Sequence, residues 1–272
     1  MGVGVNIAVL IHGPYSDNAY KEIFSSLQSV REDLSEIVLS TYVDVKEKTE
    51  EALEMYGRKH SVKCIYSKDL INPGYFNLNR QIITARAGLK EISDNSVVIK
   101  LRNDQWCDMT KIVRIIKRIY TDVNERRIIS TNCFTRQDRL YHPSDMFLCG
   151  RKSDLMNYYS LPFQENTHVG TQLEMLQELE CSNKEFKTFL VSPESELFKH
   201  YLALKNWNFE YTDEDSYNAL KEYIYLINTW DINLRWNKQR NAFLPAKTII
   251  LPYSFTLEPF AGAPKEEALC YA

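Results

Sequence analysis

Apolar runs broken by turn residues lay out the first half of the chain. Val5 to Ile11 is apolar apart from Asn6 and reads as a buried strand, and His12-Gly13-Pro14-Tyr15 is the turn that leaves it. Tyr20, Ile23, Phe24, Leu27 and Val30 then recur at helical spacing, with Asp17 or Asn18 placed to cap the helix they define. Glu36 to Tyr42 is the next strand. Strand, helix, strand from the first residues predicts a parallel sheet with crossover helices. A Pro73-Gly74 turn and an Asn-rich approach lead into an amphipathic helix to Leu89, and the apolar run Ser96 to Leu101 follows as another strand. Lys111 to Tyr120 carries an apolar face beside a basic one and reads as a helix lying on a core with a solvated side, a pattern that can also rest on an anionic membrane surface. Met146-Phe147-Leu148 reads as a further strand, and Glu194 opens a helix holding Leu197, Tyr201 and Leu202. Tyr211 to Gln239, rich in aromatic residues, is expected as one or two long helices. Phe243 to Tyr253 is an apolar, Pro-broken tail suited to an edge strand, a subunit contact or a lipid contact, and 262–272 is expected to be loose. No internal repeat or low-complexity linker interrupts the chain.

The chemistry concentrates where the 96–101 strand ends. Lys100-Leu101-Arg102-Asn103-Asp104-Gln105 turns an apolar run abruptly into charges and amides, and open α/β sheets bind ligands at the carboxyl ends of their strands. Arg102 offers a planar fork suited to a diphosphate, while Asp104 suits a divalent metal or sugar hydroxyls. The same residues also suit a plain ion pair at a strand end, with Trp106 in the core. The turn at His12, Gly13 and Pro14 falls at the same sheet edge. Asn77, Asn79 and Arg80 stand at a helix start, where exposed amides favour anions, although a cap and a solvated Arg explain them as well. Asp145 precedes a strand whose Gly150 allows close backbone approach; it also suits a turn cap after Pro143.

Length and charge narrow the function classes. A chain of 272 residues buries a substantial core, and a net charge of −3 with a pI near 6.0 argues against a nucleic-acid binder. The six cysteines, Cys64, Cys107, Cys133, Cys149, Cys181 and Cys270, lack metal-type spacing and read as reduced, buried thiols. No secretory signal and no span-length apolar run is visible, so a cytoplasmic protein is expected, with peripheral contact at the inner face of the membrane left open.

Taken together, these motifs resemble the WavE-type lipopolysaccharide biosynthesis proteins, glycosyltransferases of the GT-A kind. The resemblance covers about residues 5–205. It rests on Ile7 to Ile11 with His12-Gly13, on Asn77 to Ile82, on Lys100 to Gln105, on His142-Pro143-Ser144-Asp145-Met146-Phe147-Leu148-Cys149-Gly150, and on Ser192-Pro193-Glu194-Ser195-Glu196-Leu197 with Tyr201-Leu202. It implies a GT-A-like, Rossmann-type, mostly parallel sheet over 1–205, with a helical extension and apolar tail over 206–272. The implied reaction moves a sugar from a nucleotide-sugar donor to a saccharide or lipid-linked acceptor in lipopolysaccharide or capsule synthesis. A non-catalytic nucleotide- or sugar-phosphate-binding protein and a nucleotidyltransferase using Asp104 and Asp108 are the alternatives.

Donor contacts are implied for His12, Gly13, Pro14, Asn79, Arg80, Lys100, Arg102, Asn103 and Gln105, and catalytic roles for Asp104, Asp145 and Glu194. Asp104 falls where other GT-A enzymes place an Asp-x-Asp metal motif, but Arg102 stands where the first Asp would be. Dependence on Mn²⁺ or Mg²⁺ is therefore left open, since a cation there takes over part of the charge neutralisation at a leaving diphosphate. As acceptor-side base, Glu194 leads, with Glu165, His168, Glu174 and Glu196 as other ionisable groups in reach. Glu194 and Glu196 lie about 200° apart on a helix, so only one can face a cleft.

Overall fold

A computed structural model describes residues 5–16, 19–58, 60–165, 192–237 and the backbone of 243–245. The expected caps Asp17 and Asn18, together with His168, Glu174, Cys181, Cys270 and the tail beyond Pro245, lie outside these residues.

The strands are β1 (Ile7–His12), β2 (Leu34–Tyr42), β3 (Lys63–Ser67), β4 (Val97–Arg102), β5 (Gln105–Trp106), β6 (Ile128–Thr131), β7 (Phe147–Arg151), β8 (Ile224–Ile227), β9 (Arg235–Asn237) and β10 (Phe243–Pro245). The helices are α1 (Ala19–Gln28), α2 (Lys46–Ala52), α3 (Leu78–Lys90), α4 (Met109–Ile119), α5 (Lys152–Tyr158), α6 (Pro193–Leu204) and α7 (Asp213–Tyr223). Seven strands form one sheet in the order β3-β2-β1-β4-β7-β6-β8, in which β7 alone runs against the others. The expected mostly parallel sheet with flanking helices is thus present.

Alternation along β1 explains the layering. Ile7, Val9 and Ile11 face one core with α1 and α4, whereas Ala8 and Leu10 face the other with α3, α5, α6 and α7. All five are fully buried, each worth roughly 1.5–3 kcal/mol for the larger side chains. Helix α4, capped by the Asp108 carboxylate at the Thr110 and Lys111 amides, turns Ile112, Val113, Ile116 and Ile119 inward. Its apolar face is therefore occupied by the core.

Helix α3 approaches β1 and β2 through Gly88. A Cβ there would overlap Leu10 Cδ1 and come 3.1 Å from Ser40 Cβ, and both neighbours are fully buried. Gly88→Ala is therefore expected to cost roughly 1–2 kcal/mol despite the better helix propensity of Ala, lowering Tm by roughly 3–6 °C in a thermal melt.

The carboxyl region departs from the expected helices. Among the described residues of this region Asp213–Tyr223 is the one α-helix, with a short 3-10 turn at Thr229–Ile232; Ile224–Ile227 becomes β8, paired in parallel with β6 and completing the main sheet. Arg235–Asn237 pairs with β5 on one side and β10 on the other, so Phe243–Pro245 does serve as an edge strand. The run Ile224-Tyr225-Leu226-Ile227 is short, aromatic and β-branched, which favours a strand over continuation of the helix. A division at residue 205 consequently crosses the sheet.

Candidate active site

Strand β1 lies between β2 and β4, and at its carboxyl edge the chain leaves in opposite directions, the switch point at which open α/β sheets hold ligands. His12 is in register with Ser40 on β2 and Arg102 on β4. Because β7 is antiparallel, with Phe147 opposite Leu101, its amino end delivers Asp145 to that same edge. A cleft of about 590 Å³ opens there. His12, Gly13, Pro14, Arg80, Arg102, Asn103, Asp104, Asp145 and Glu194 line it.

The turn after β1 is tied to the turn after β4. Gly13 adopts φ +114°, a backbone conformation that favours glycine, while its amide donates to Ser40 O at 3.1 Å. Asn103 donates through Nδ2 to Gly13 O (2.7 Å) and Pro14 O (3.1 Å), and through its amide to His12 O (2.9 Å). Asn103 thus braces both loops. The Thr84 hydroxyl donates to Arg80 O at 3.0 Å, so His12 Nδ1, 3.1 Å from Thr84 Oγ1, is the donor in that contact. Burial, and then the charges of Lys100 and Arg102, hold His12 neutral well below its usual range. Its Nε2 is an acceptor without a partner among the described residues.

Three expected contacts, Asn79, Gln105 and Lys100, do not line the cleft; all three are buried, and Asn79 and Lys100 spend their polar groups on internal partners. Asn79 donates to Gln164 O at 2.9 Å and accepts the Gln164 amide at 2.7 Å. Gln105 accepts the Arg102 amide at 3.3 Å. Lys100 is fully buried, donates to Asp145 O at 2.6 Å and lies 5.8 Å from the Tyr159 ring centroid; burial pushes it down to about 8. It acts from beneath, fixing the Asp145 backbone.

Asp104 is fully engaged. Arg102 donates to both of its oxygens at 3.0 Å, Trp236 Nε1 donates to Oδ2 at 2.9 Å, and the Asp104 carbonyl accepts the Asn237 amide at 2.8 Å. The Trp236 ring also faces the Arg102 guanidinium, 5.6 Å away. The small β5-β9-β10 sheet thereby locks the motif. As arranged, Asp104 does not fit a metal site: three N–H groups occupy its carboxylate, and among the described residues no three His, Cys, Asp or Glu side chains converge. Asp108, the other carboxylate considered, is spent on the α4 cap.

The far wall carries two carboxylates. Gln81 Nε2 donates to Asp145 Oδ2. Glu194 lies in the first turn of α6, behind the Ser192 cap and Pro193, with its side chain 23% exposed. Burial first, and then the Asp145 charge, push Glu194 up to about 7, against the opposing pull of Arg139. His142 Nε2 stands 3.6 Å from Glu194 Oε2 and is neutral, pushed down to about 3 by burial and then by Arg139. Glu196 faces away, paired with Lys199 at 2.5 Å. Glu165 is exposed.

Sequence reasoning singled out Asn77 and Arg80 but missed Gln81 and Thr84. The four form a polar stripe at i, i+3, i+4, i+7, opposite the buried Leu78, Ile82, Ala85 and Leu89 of α3. That spacing was readable. Tyr42, Asp44, Asp69 and Arg139 gave no such signal.

The profile of the WavE lipopolysaccharide synthesis family matches residues 7–242. The chain belongs to this family. The match runs past the carboxyl strands that complete the sheet and hold Asp104. Among solved structures, Staphylococcus aureus TarS is similar at 12% identity, over 82% of this chain and 35% of that one, with a TM-score of 0.46. Glucosyl-3-phosphoglycerate synthase from Mycobacterium tuberculosis, complexed with Mn²⁺, UDP and phosphoglyceric acid, is similar at 11% identity, over 65% of this chain and 66% of that one, TM-score 0.41. A 4-diphosphocytidyl-2C-methyl-D-erythritol synthase from Anaerococcus prevotii is similar at 13% identity, over 65% and 85% respectively, TM-score 0.37. None of the curated proteins compared matches the chain. Among the described residues no helix is long and apolar enough to cross a membrane.

Proposed function

We propose that the protein is a glycosyltransferase that moves a sugar from a nucleotide-sugar donor to a saccharide or lipid-linked acceptor during assembly of bacterial surface polysaccharide. The observation that supports this reading is one cleft at the β1/β4 edge holding arginines beside two carboxylates, one of which keeps its proton up to about pH 7. The nucleoside diphosphate is bound across the His12 to Pro14 turn and the Arg102 to Asp104 turn. Glu194 takes the proton of the acceptor hydroxyl as its oxygen bonds to the anomeric carbon. The anomeric carbon–oxygen bond breaks at the same time, its electron pair leaving on the diphosphate, where guanidinium charge stabilises it. Asp145 raises the proton affinity of Glu194 and lines the acceptor side. The nucleotidyltransferase alternative loses support because Asp108 is a helix cap. Location at the inner face of the cytoplasmic membrane fits a lipid-linked acceptor and belongs to the same proposal.

The test is a transfer assay. Protein is incubated, with and without Mn²⁺, with UDP-, GDP-, CMP- and dTDP-sugars and a truncated, deacylated lipopolysaccharide core, and products are weighed by mass spectrometry. The expected product is the acceptor plus one sugar from one donor class. Bound nucleotide with no transfer in any combination would favour the non-catalytic alternative.

A further inference from the structure

Three arginines line the cleft, and two of them already have their forks filled. Arg80 donates through Nε to Asp69 Oδ1 at 2.7 Å, through Nη2 to Asp69 Oδ2 and through Nη1 to Asn77 Oδ1 at 3.1 Å. Arg102 is held by both oxygens of Asp104. Arg139 is different: it makes no hydrogen bond within the described residues, and its Nε is buried without a partner. A buried guanidinium donor left unmatched is costly, and one in the wall of a cleft is placed to be satisfied by what the cleft holds.

The backbone around Arg139 is fixed by residues far away in sequence. Leu140 O accepts Ser195 Oγ at 3.0 Å, the Tyr141 amide donates to Ser216 Oγ at 2.7 Å, and the Arg136 amide donates to His142 O at 3.0 Å. Asp138, the adjacent carboxylate, is taken by the Arg136 guanidinium. Arg139 is thus held at the cleft wall with no carboxylate hydrogen-bonded to it among the described residues, Asp138 and Glu194 acting on it only through their charge, and a fixed loop limits the entropy lost on capturing an anion. Burial, and then the charge of Arg136, hold it below its usual range, as expected of a cation short of a counter-charge.

We propose that Arg139 is the ligand-binding cation of the cleft and takes a phosphate or diphosphate through its fork. The inference rests on the donor-site reading above and deepens it: Arg102 and Arg80 shape the wall, whereas Arg139 grips the anionic group that leaves. A guanidinium matches two phosphate oxygens at once, which a lysine cannot do.

The test is calorimetric titration of wild type, Arg139→Gln and Arg139→Lys with UDP, GDP, CDP and inorganic pyrophosphate, with uridine, guanosine and cytidine as phosphate-free ligands. Melting curves establish that each variant is folded. The expected result is a 10- to 100-fold weaker Kd of Arg139→Gln for whichever diphosphate binds wild type, partial recovery in Arg139→Lys, and unchanged affinity for the matching nucleoside. A folded Arg139→Gln that binds the same diphosphate as tightly as wild type overturns the assignment while leaving the donor site standing. If wild type binds pyrophosphate through Arg139 but no nucleotide, the assignment holds and the nucleotide-sugar reading fails. If wild type binds none of these anions, both fail.

Discussion

Exchanging Glu194 for Gln is expected to lower turnover by roughly 10²- to 10⁴-fold with donor affinity retained, the range spanned by a positioned general base. Glu196→Gln, on the face that pairs with Lys199, should stay within about twofold of wild type. The pH dependence follows from the same group. A base must be ionised, so kcat/KM should climb tenfold per pH unit below about 7 and level off above it. The groups facing Glu194 are Asp145, which raises its proton affinity, and Arg139 and the neutral His142, which do not supply a competing base. Stability moves the opposite way. A folded-state pKa of about 7, above the unfolded carboxylate value, means the folded protein holds the proton more tightly; the stability this contributes is complete at low pH and is lost as pH rises to about 7. Glu194→Gln removes the cost of the buried charge. At pH 8 it should therefore be more stable than wild type by roughly 1–3 kcal/mol while nearly inactive. Chemical denaturation at pH 5 and pH 8 checks the sign: the gain should shrink at pH 5. A variant that is both active and no more stable would place Glu194 outside the chemistry.

Asp104→Ala is expected to abolish measurable transfer and to lower stability as well. The carboxylate accepts two N–H groups of Arg102 and one of Trp236, so its loss leaves a half-buried guanidinium and an indole without acceptors. Roughly 1–3 kcal/mol of destabilisation follows, and a Tm lower by roughly 3–9 °C. Without its partner, Arg102 leaves the position fixed by Asp104 and by the Trp236 ring. Asp104→Asn keeps one acceptor but turns an amide N–H toward the cation; it should fold better than the Ala variant and remain poorly active. Wild-type activity in a folded Asp104→Ala protein would show that the Arg102 fork is not needed where this residue holds it.

Much of the sheet was legible because its central strands are largely buried on both faces and read as mostly apolar runs, as in Ile7–Ile11 of β1, Ile37–Leu39 of β2 and Val97–Ile99 of β4. The cluster after β4 was legible for a related reason: charges that end such a run have to lie at the sheet edge. What the sequence did not disclose is how those charges pair. Arg102 and Asp104 read equally as ligand contacts and as an ion pair, and they form the ion pair, completed by Trp236 from 132 residues away. The carboxyl region failed for a different reason. Helix α7 and strand β8 are contiguous, and periodicity over four residues cannot separate a buried strand from another helical turn. Arg139 was illegible because nothing local places it; Ser195 and Ser216 hold its loop.

The central claim is that a nucleotide sugar binds at the carboxyl edge of β1 and β4, and amide chemical-shift mapping tests it most directly. With the protein isotopically labelled and a panel of UDP-, GDP-, CMP- and dTDP-sugars added to millimolar concentration, at least one donor should shift the amides of Gly13, Arg102, Asn103, Arg139 and Asp145 together in a saturable way. Shifts confined to surfaces away from these residues, or none with any donor, would contradict the account.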